Sequence, residues 1–363
     1  MNVELRNQRQ RELAQQWIDK GKFGIINAAP RFGKIRVSIN VFNKFPANSK
    51  ILIAYPDGKI KESWESDFEE LEYNNPNVSF TTHLSLKKHL NDTFDIVVID
   101  EIHLLSEAQL EVCKELFCHN PHILGLTGTL SSFTETDIYE ATGLTVVAEY
   151  PIDKAIEEGV IVDYLITVYK VPLDNKKLIN FNGKMKTEKK QFESVSWVIN
   201  KIDSQGGNSM FMRLARMRLI QKSYAKTEAT KTLLDRFANE RVLVFCGVTE
   251  VADKLGCPSY HSKSIEKDMF ADFVEGRGKH MAVVKIGNTG VTYKPLNKVI
   301  INYFDSNGEN LAQKIFRCMA MEYDNLSKKA EVVIVSSDEA VELNWLKKAL
   351  EFFDKNKIKF VSL

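Results

Sequence analysis

Features common in secreted and membrane proteins are scarce in this sequence. Five cysteines occur among 363 residues, an odd number without Cys-x-x-Cys spacing. We therefore expect free thiols in a reducing, cytosol-like compartment rather than a disulfide framework. No apolar run approaches the roughly 20 residues that a transmembrane helix needs. The first residues, MNVELRNQRQRELAQQW, are polar and lack the apolar region of a signal peptide. We expect a soluble protein with no membrane partner.

Net charge is almost absent from the chain as a whole, but not from its middle. The formal net charge is +1. Between residues 176 and 241, fifteen Lys/Arg stand against six Asp/Glu, a local excess of nine positive charges. A basic middle between more acidic flanks suits a polyanionic partner, although a solvated helical segment fits the same count.

The order of apolar and amphipathic segments predicts an α/β protein. With 44% hydrophobic and 27% charged residues, the chain can build sizeable cores, and its length suits two or three domains. Apolar strands alternate with amphipathic helices in two series, which predicts open parallel sheets. The predicted strands are 24–28, 51–54, 78–81, 96–99 and 123–126, then 242–246, 281–285, 299–303 and 330–335. We expect an α/β domain over residues 1–165, a basic helical connector over 166–240 and a second α/β domain over 241–363.

A phosphate-binding loop is predicted directly after the first strand. The segment from Ala28 to Lys34 reads as a turn that enters a helix, where backbone N–H groups and the helix dipole favour phosphate. Gly33 permits close backbone approach, and Lys34 can reach the outer phosphates. Two residues depart from the pattern G-x-x-x-x-G-K followed by Ser or Thr. Ala28 replaces the first glycine, and Ile35 replaces the hydroxyl residue that would bind magnesium.

Two adjacent acids follow the buried strand predicted at residues 96–99. Asp100 and Glu101 come some 66 residues after Lys34. Ligands bind at the carboxyl ends of parallel strands, and two acids are costly there unless a cation or a reaction needs them. In a nucleotide hydrolase, the first acid holds Mg²⁺ and the second polarises the attacking water. We therefore assign Asp100 to the metal and Glu101 to the water.

Together with the phosphate loop and the paired acids, the order of further motifs resembles that of the superfamily 2 helicases and DNA translocases, notably the DEAH-like and phage recombination helicases. Asp100-Glu101-Ile102-His103 matches motif II in full. The other segments similar to family motifs are 28–34 (motif I), 51–56 (Ia), 80–83 (Ib), 126–129 (III), 242–246 (IV), 286–292 (V) and 313–317 (VI). The resemblance implies two RecA-like parallel-sheet domains in tandem.

The resemblance also implies ATP and Mg²⁺ as ligands. The residues expected to bind the nucleotide are Arg6, Gln8, Gln10, Ala29, Pro30, Arg31, Phe32, Gly33, Lys34 and Ile35. The N-terminal Leu-Arg…Gln element that contacts adenine in the family is imperfectly spaced here, so the choice between Gln8, Arg9 and Gln10 stays open.

Hydrolysis and its coupling to motion are expected from a second group of residues. The catalytic assignments are Lys34, Asp100, Glu101, Gln313 and Arg317, with Arg317 as an arginine finger. The residues expected to couple the ATP state to motion are Thr127, Gly128, Thr129, Gly287, Thr289 and Gly290. The family's motif VI has a glycine and a second arginine where this chain has Phe316 and Ala320.

Nucleic acid is the expected partner, DNA rather than RNA, bound mostly through its phosphate backbone. The residues assigned to it are Pro56, Trp64, Thr81, Thr82, Arg213, Arg216, Arg218 and His261. Two alternatives stay open. Trp64 is a base-stacking residue or a core residue, and the helix with the three arginines crosses DNA or packs against its neighbours.

The resulting hypothesis is an ATP-dependent helicase or translocase that acts on branched or forked DNA in the cytoplasm of a bacterium or a phage-infected host. It acts as a monomer or within a larger replication or recombination complex. Ile35 and Ala320 keep a second possibility open, a degenerate helicase-like protein that binds nucleic acid but scarcely hydrolyses ATP. The motor subunit of a restriction-type complex is a third.

Overall fold

The computed structural model describes residues 3–181, 183–264, 268–284, 296, 298–304, 308–318 and 329–362. They form two compact units, one up to Val162 and the other from Asp163 onwards. Each unit is built on a parallel sheet flanked by helices. The predicted α/β fold class with two parallel-sheet domains in tandem is therefore confirmed.

The first unit contains a six-stranded sheet. Its strands are β1 (Phe23–Ala28), β2 (Ile51–Tyr55), β3 (Val78–Thr82), β4 (Ile96–Ile99), β5 (Ile123–Thr127) and β6 (Val146–Tyr150). They lie in the order β3-β2-β4-β5-β1-β6, and every described pairing is parallel. Strands β2, β4 and β5 are buried along their whole length, as expected for strands covered on both faces.

Six helices accompany this sheet. They are α1 (Val3–Asp19), α2 (Lys34–Phe42), α3 (Gly58–Glu70), α4 (Glu107–Cys118), α5 (Ser132–Thr142) and α6 (Ile152–Glu157). Local sequence fixes several of their ends. Ser106 and Gln109 form a capping box at the start of α4, and Ser131 accepts the Thr134 N–H at the start of α5. Gly143 ends α5 in the left-handed conformation.

The strand order brings the carboxyl ends of β1, β4 and β5 side by side. Strand β5 pairs with β1 on one side and with β4 on the other. The segments that follow these three strands hold the predicted phosphate loop, the paired acids and the Thr-Gly-Thr turn. Because all three strands run in the same direction, these segments leave the sheet at the same edge, as in other open α/β sheets.

The second unit contains a seven-stranded sheet and a separate hairpin. The sheet strands are β7 (Asp163–Val171), β10 (Val242–Cys246), β11 (Ser259–Tyr260), β12 (His280–Val284), β13 (Lys298–Ile301), β14 (Lys329–Ser337) and β15 (Ile358–Ser362), and β8 (Leu178–Phe181) with β9 (Lys184–Thr187) forms the hairpin. The sheet order is β11-β12-β10-β13-β14-β7-β15. Its helices are α7 (Glu188–Ser204), α8 (Met210–Gln221), α9 (Tyr224–Arg236), α10 (Thr249–Lys254), α11 (Asp268–Val274), α12 (Gly308–Ile315) and α13 (Ala340–Ala349).

The region predicted as a helical connector belongs to the second unit. Residues 166–240 include most of β7, which pairs with β14 and β15 inside the sheet, as well as the hairpin β8–β9 and helices α7 to α9. Alternating burial along β7 is the period-two pattern of a strand. The division into units therefore falls at Val162, slightly before the predicted boundary.

In the part of the chain described above, no helix combines the length and the apolar character needed to cross a membrane.

Candidate nucleotide-binding site

The loop between β1 and α2 has the backbone of a phosphate-binding turn. Arg31 and Gly33 both adopt left-handed conformations, with φ of 67° and 95°, and α2 starts at Lys34. Only glycine adopts such a φ without strain, so Arg31 carries a local cost that the surrounding structure sustains. The first N–H groups of α2 have no acceptor within the helix and are suited to an anion.

The middle of this loop is anchored to β6. The Phe32 ring is buried and lies 4.5 Å from the Tyr150 ring, centroid to centroid. The Ala29 N–H donates to the Tyr150 carbonyl oxygen at 2.8 Å. Pro30 and Arg31 are half-buried between these two contacts. The loop is therefore held in place by packing as well as by its own turns.

Helix α1 holds the other end of the loop. Arg6 Nε and Gln10 Nε2 both donate to the Phe32 carbonyl oxygen, at 2.9 and 2.8 Å. Gln8 is exposed and its amide donates to Glu12 instead. Between the glutamines that the sequence left open, the structure places Gln10 against the loop and Gln8 away from it. Gly33 has φ of 95°, and a Cβ there would lie 2.8 Å from the Gln10 amide nitrogen, so another residue would be strained and would displace the Gln10 side chain.

Lys34 and Glu101 form an ion pair beside the phosphate loop. Lys34 Nζ lies 2.9 Å from Glu101 Oε1, and the two side chains keep 15% and 21% of their surface exposed. Glu101 is in the left-handed region with φ of 49°, a conformation that costs a non-glycine residue roughly 1–3 kcal/mol. This backbone turns the carboxylate out of the β4 direction and towards the phosphate loop.

Asp100 lies beneath this pair and is almost wholly buried. Its Oδ2 accepts the Trp64 indole N–H at 2.9 Å, and its Oδ1 accepts the Glu101 backbone N–H at 2.9 Å. Burial and, second, the charge of Glu101 raise the pKa of Asp100 to about 6, whereas Lys34 acts in the opposite direction. Each carboxylate oxygen has a further lone pair, so both hydrogen bonds leave room for a cation.

The assignment of Trp64 to nucleic acid requires correction. Its side chain is completely buried, packed against Phe42 and Phe68, with its N–H on Asp100. A base cannot stack on a ring with no exposed face. The structure therefore supports the core alternative, and it gives the ring a second role in orienting the Asp100 carboxylate.

Two buried histidines support the acids. His83 Nε2 lies 2.9 Å from the Asp100 carbonyl oxygen, so this nitrogen carries the proton. Burial lowers the pKa of His83 and of His103 to about 4, and both rings are neutral near pH 7. Thr127 Oγ1 donates to the Thr129 carbonyl oxygen, so His103 Nδ1, 2.9 Å away, must donate to Thr127.

The turn after β5 lies against the phosphate loop. A Cβ at Gly128 would be 3.1 Å from Lys34 Nζ and 3.1 Å from the Ala28 carbonyl oxygen. Thr127 is hydrogen-bonded to His103, the last residue of the Asp-Glu-Ile-His segment. Thr129 is buried next to them. The three segments that leave β1, β4 and β5 thus form one contiguous site.

This site fits a nucleoside triphosphate with Mg²⁺. The loop, the helix start and Lys34 supply donors and positive charge, and Asp100 supplies one buried carboxylate. Magnesium usually keeps several waters and takes one or two carboxylates together with phosphate oxygens. Ile35 is half-buried in the first turn of α2 and contributes no oxygen, so Asp100 is the residue that would hold the metal.

The motif V and VI residues are covered only in part. Gly287, Thr289 and Gly290 lie outside the described residues. Gln313 is half-buried in α12, which ends at Ile315.

Arg317 lies in a short 3-10 helix that follows α12 and is largely buried. Gln313 and Arg317 are four residues apart, and one continuous α-helix would present both on the same face. The α-helix stops between them, so they do not share regular α-helical spacing.

The remaining residues assigned to nucleic acid in the first unit follow β2 and β3. Pro56 comes directly after β2 and is half-buried. Thr81 is buried, and Thr82, the last residue of β3, is half-buried. Because β2 and β3 are adjacent and parallel, Pro56 and Thr82 lie at the same edge of the sheet.

The three arginines of α8 have different surroundings. Arg213 is exposed and pairs with Asp203 at 2.6 Å. Arg216 is half-buried, over the Phe192 ring at 5.9 Å, whereas Arg218 is exposed. The helix was proposed either to cross DNA or to pack against its neighbours. Arg216 packs against α7, whereas Arg213 and Arg218 face solvent.

His261, also assigned to nucleic acid, is buried. Its Nε2 lies 2.9 Å from Asp253 Oδ1. Asp253 also accepts the Ser259 hydroxyl at 2.6 Å. These contacts give His261 a role inside the second unit, joining β11 to α10.

Sequence reasoning missed a network that fixes α1 next to the phosphate loop. Arg9 forms a bidentate pair with Glu158, with distances of 2.9 and 2.7 Å. Glu158 also accepts the Tyr150 hydroxyl at 2.8 Å, and Tyr150 packs on Phe32. The partners are 149 residues apart in sequence, and no local pattern joins them.

No protein-family model matches the chain, and no curated protein matches it in sequence. Among solved structures, the chain is similar to the Hef helicase domain of Pyrococcus furiosus, with a TM-score of 0.52 and 12% identity over 94% of this chain and 99% of that one. It is also similar to a fragment described as an HsdR subunit of a type I restriction enzyme from Vibrio vulnificus, with a TM-score of 0.62 and 15% identity over 97% and 67% of the two chains. At these identities the likeness establishes the fold, which is the tandem RecA-like fold of helicase domains.

Proposed function

We propose that this protein is an ATP-dependent helicase or translocase of the superfamily 2 type that moves on DNA. The observation that carries the proposal is the Lys34–Glu101 ion pair of 2.9 Å. It joins a phosphate-loop lysine to the second acid of motif II, directly above a buried Asp100. A purely structural protein has no physical use for this group of charges, which is costly to assemble.

The residues divide the work of hydrolysis between them. When bound, Mg²⁺ would be held by Asp100 and would neutralise charge on the phosphate oxygens. Lys34 binds the outer phosphates. Its ammonium group then pairs with a phosphate oxygen instead of the Glu101 carboxylate. The Glu101 carboxylate then accepts a hydrogen bond from the attacking water and orients it. Trp64 and His83 keep the Asp100 segment fixed. Gln313 and Arg317 remain proposed catalytic residues on sequence grounds.

The hydrogen bond from His103 to Thr127 is the proposed start of coupling. A change at Glu101 reaches His103, whose Nδ1 lies 3.5 Å from Glu101 Oε2, and then the turn after β5. That turn contacts the phosphate loop at Gly128. Loss of the outer phosphate therefore changes the contacts of two segments that leave the same sheet edge, which is how nucleotide switches transmit their state.

DNA is the proposed track, contacted mainly at its phosphates. The excess of nine positive charges between residues 176 and 241 supports a polyanionic partner. The similarity to a helicase domain and to a restriction subunit supports the proposal that this protein translocates along DNA. We propose a cytoplasmic location, and action either alone or within a replication or recombination complex.

Phosphate release with single-stranded, duplex, forked and four-way DNA and with RNA tests the proposal. We expect DNA to stimulate the rate, and forked or four-way DNA to do so most. Lys34→Ala and Glu101→Gln should each lower the rate at least about 100-fold, the range seen when a charge-stabilising or proton-accepting group is removed. Lys44→Ala, which changes an exposed lysine just after α2, is the matched control. An unchanged rate of phosphate release in both Lys34→Ala and Glu101→Gln would refute the motor.

Ile35 favours a second candidate, a degenerate motor that binds nucleotide but turns over slowly. Ile35→Thr restores a hydroxyl at the first turn of α2. If the metal is poorly held, this change should raise turnover and lower the Mg²⁺ concentration needed for half-maximal rate. An unchanged rate in both measurements would show that Asp100, waters and phosphates already suffice. A third candidate, the motor subunit of a restriction-type complex, is favoured by the similarity to the HsdR fragment and predicts activity that depends on an added nuclease subunit.

A further inference from the structure

Two packed helices of the second unit expose large aromatic side chains. Phe211, in the first turn of α8, is 84% exposed, and Trp197 on α7 is 63% exposed. Leu214 follows Phe211 by three residues and Arg218 follows Leu214 by four, so the three share one face of α8. Both Leu214 and Arg218 are exposed. Phe211 and Leu214 thus leave apolar surface in water beside Arg218, and exposed apolar groups of this kind are found at interaction sites.

The same region is strongly basic. From residue 176 to residue 222, eleven Lys/Arg stand against three Asp/Glu. One of these acids, Glu188, is buried, and another, Asp203, pairs with Arg213. Lys201 places its ammonium group 5.3 Å from the Trp197 ring centroid. The Trp197 ring therefore has a cation beside it, in a stretch where the one remaining acid, Glu193, is exposed one turn earlier on α7.

We infer that α7 and α8 form a binding surface for single-stranded DNA, on which unpaired bases stack against Phe211 and Trp197. We name it the α7–α8 surface and define it by Trp197, Lys201, Phe211, Leu214 and Arg218. Aromatic platforms beside a basic groove are the physical means of binding single strands without reading sequence. A duplex presents only phosphates and groove edges to such rings, because its bases are already stacked. The charge of the surface favours a polyanion over a second copy of this chain or a neutral protein.

This inference rests on the proposed function for the identity of the track, and it adds the strand form and the contact residues. It differs from the earlier assignment of α8 arginines to DNA phosphates, since the rings supply the preference for unpaired bases. Arg216 is excluded from the surface because it packs on Phe192.

Tryptophan fluorescence gives a direct readout. Of the four tryptophans, all within the described ranges, Trp17 and Trp64 are completely buried and Trp345 is half-buried. Titrating the nucleotide-free full chain with an oligothymidylate of about 20 nucleotides should quench the exposed Trp197. Trp197→Phe should abolish the quench while binding persists, because phenylalanine still offers a stacking face.

Anisotropy of a labelled strand measures the energetic contribution. Phe211→Ala should weaken binding of the single strand by about tenfold or more, the effect of losing one stacked base, and should change duplex binding much less. Phe211→Trp should restore the affinity. Phe133→Ala, which removes an exposed phenylalanine from α5, is the matched control and should have no effect. An unchanged affinity in Phe211→Ala, an equal loss for duplex, or a change in self-association instead would overturn the inference.

Failure of the inference and failure of the motor can be told apart. Lys34→Ala should retain the affinity for the single strand, because binding is measured without nucleotide. A protein without DNA-stimulated hydrolysis whose binding still depends on Phe211 would refute the motor and keep the surface. DNA-stimulated hydrolysis, together with single-strand binding that does not depend on Phe211, would refute the surface and keep the motor.

Discussion

Replacing Asp100 by asparagine should change how the stability of the first unit depends on pH. Burial and the neighbouring Glu101 raise the pKa of Asp100 to about 6, from an ordinary value of 3.8. The folded chain therefore holds this proton more tightly than the unfolded chain. The carboxyl group costs nothing at low pH, and it destabilises the fold progressively as the pH rises from its ordinary pKa through its folded one.

The size of this effect follows from the two pKa values. A difference of about two pKa units corresponds to a cost of about 3 kcal/mol once both states are ionised. Roughly 1–2 kcal/mol of that cost develops between about pH 5 and about pH 8. Asparagine has only one oxygen to accept the N–H groups of Trp64 and Glu101, so it loses one hydrogen bond. That loss costs roughly 1–3 kcal/mol but does not vary with pH.

Urea unfolding with EDTA, followed by intrinsic tryptophan fluorescence, separates the two contributions. We expect the free energy of unfolding of Asp100→Asn to gain on the wild type by roughly 1–2 kcal/mol as the pH rises across this range, whatever the offset at pH 5. Asp153→Asn, which neutralises an exposed acid in α6, is the control and should show no such gain. If the free energy of unfolding of Asp100→Asn keeps a constant offset from that of the wild type, or falls relative to it as the pH rises, the reasoning is refuted.

Three further predictions concern the same unit. Trp64→Phe keeps most of the core ring but removes the N–H that Asp100 accepts at 2.9 Å; urea unfolding should show a loss of roughly 1–3 kcal/mol, and nucleotide hydrolysis should need more Mg²⁺. Gly128→Ala places a methyl group 3.1 Å from the phosphate-loop lysine, so the KM for ATP should rise several-fold while the melting temperature changes little. Cys118 is exposed, whereas burial raises the pKa of Cys113 to about 12. A thiol reagent should therefore label Cys118 in the native protein and Cys113 only after unfolding, as read at each position by mass spectrometry, and Cys118→Ser should abolish the early labelling at position 118.

The sheets could be predicted from sequence because their central strands are continuous apolar runs. Residues 96–99 were predicted as a strand, and β4 has the same bounds. A strand of a parallel sheet is buried on both faces, so its sequence is apolar throughout and does not alternate between polar and apolar residues. The two acids that follow β4 mark its carboxyl end. Strand β7 was missed for the opposite reason. Its sequence alternates, and it lies inside a basic stretch whose composition suggested helices.

The arrangement around the acids was beyond the reach of sequence patterns. Trp64 donates a hydrogen bond to Asp100, which is 36 residues away in sequence. No local sequence pattern at either residue predicts that contact. The choice of Gln10 over Gln8 likewise depends on how α1 lies against the loop. Local patterns identify which residues carry chemistry, whereas the partners that orient them are set by packing between distant segments.

The energetics of Asp100 bear on whether the proposed motor is active or degenerate. Ile35 cannot hold a metal, so the usual hydroxyl at α2 does not share that task. The site nevertheless keeps a buried carboxylate beside a second acid, whose backbone is in the left-handed region. A protein that only bound DNA would be more stable without these features, since neither contributes to packing. Strain and buried charge of this kind are sustained where function requires them. The cost at Asp100 and Glu101 therefore argues more strongly for hydrolysis than the departure at Ile35 argues against it.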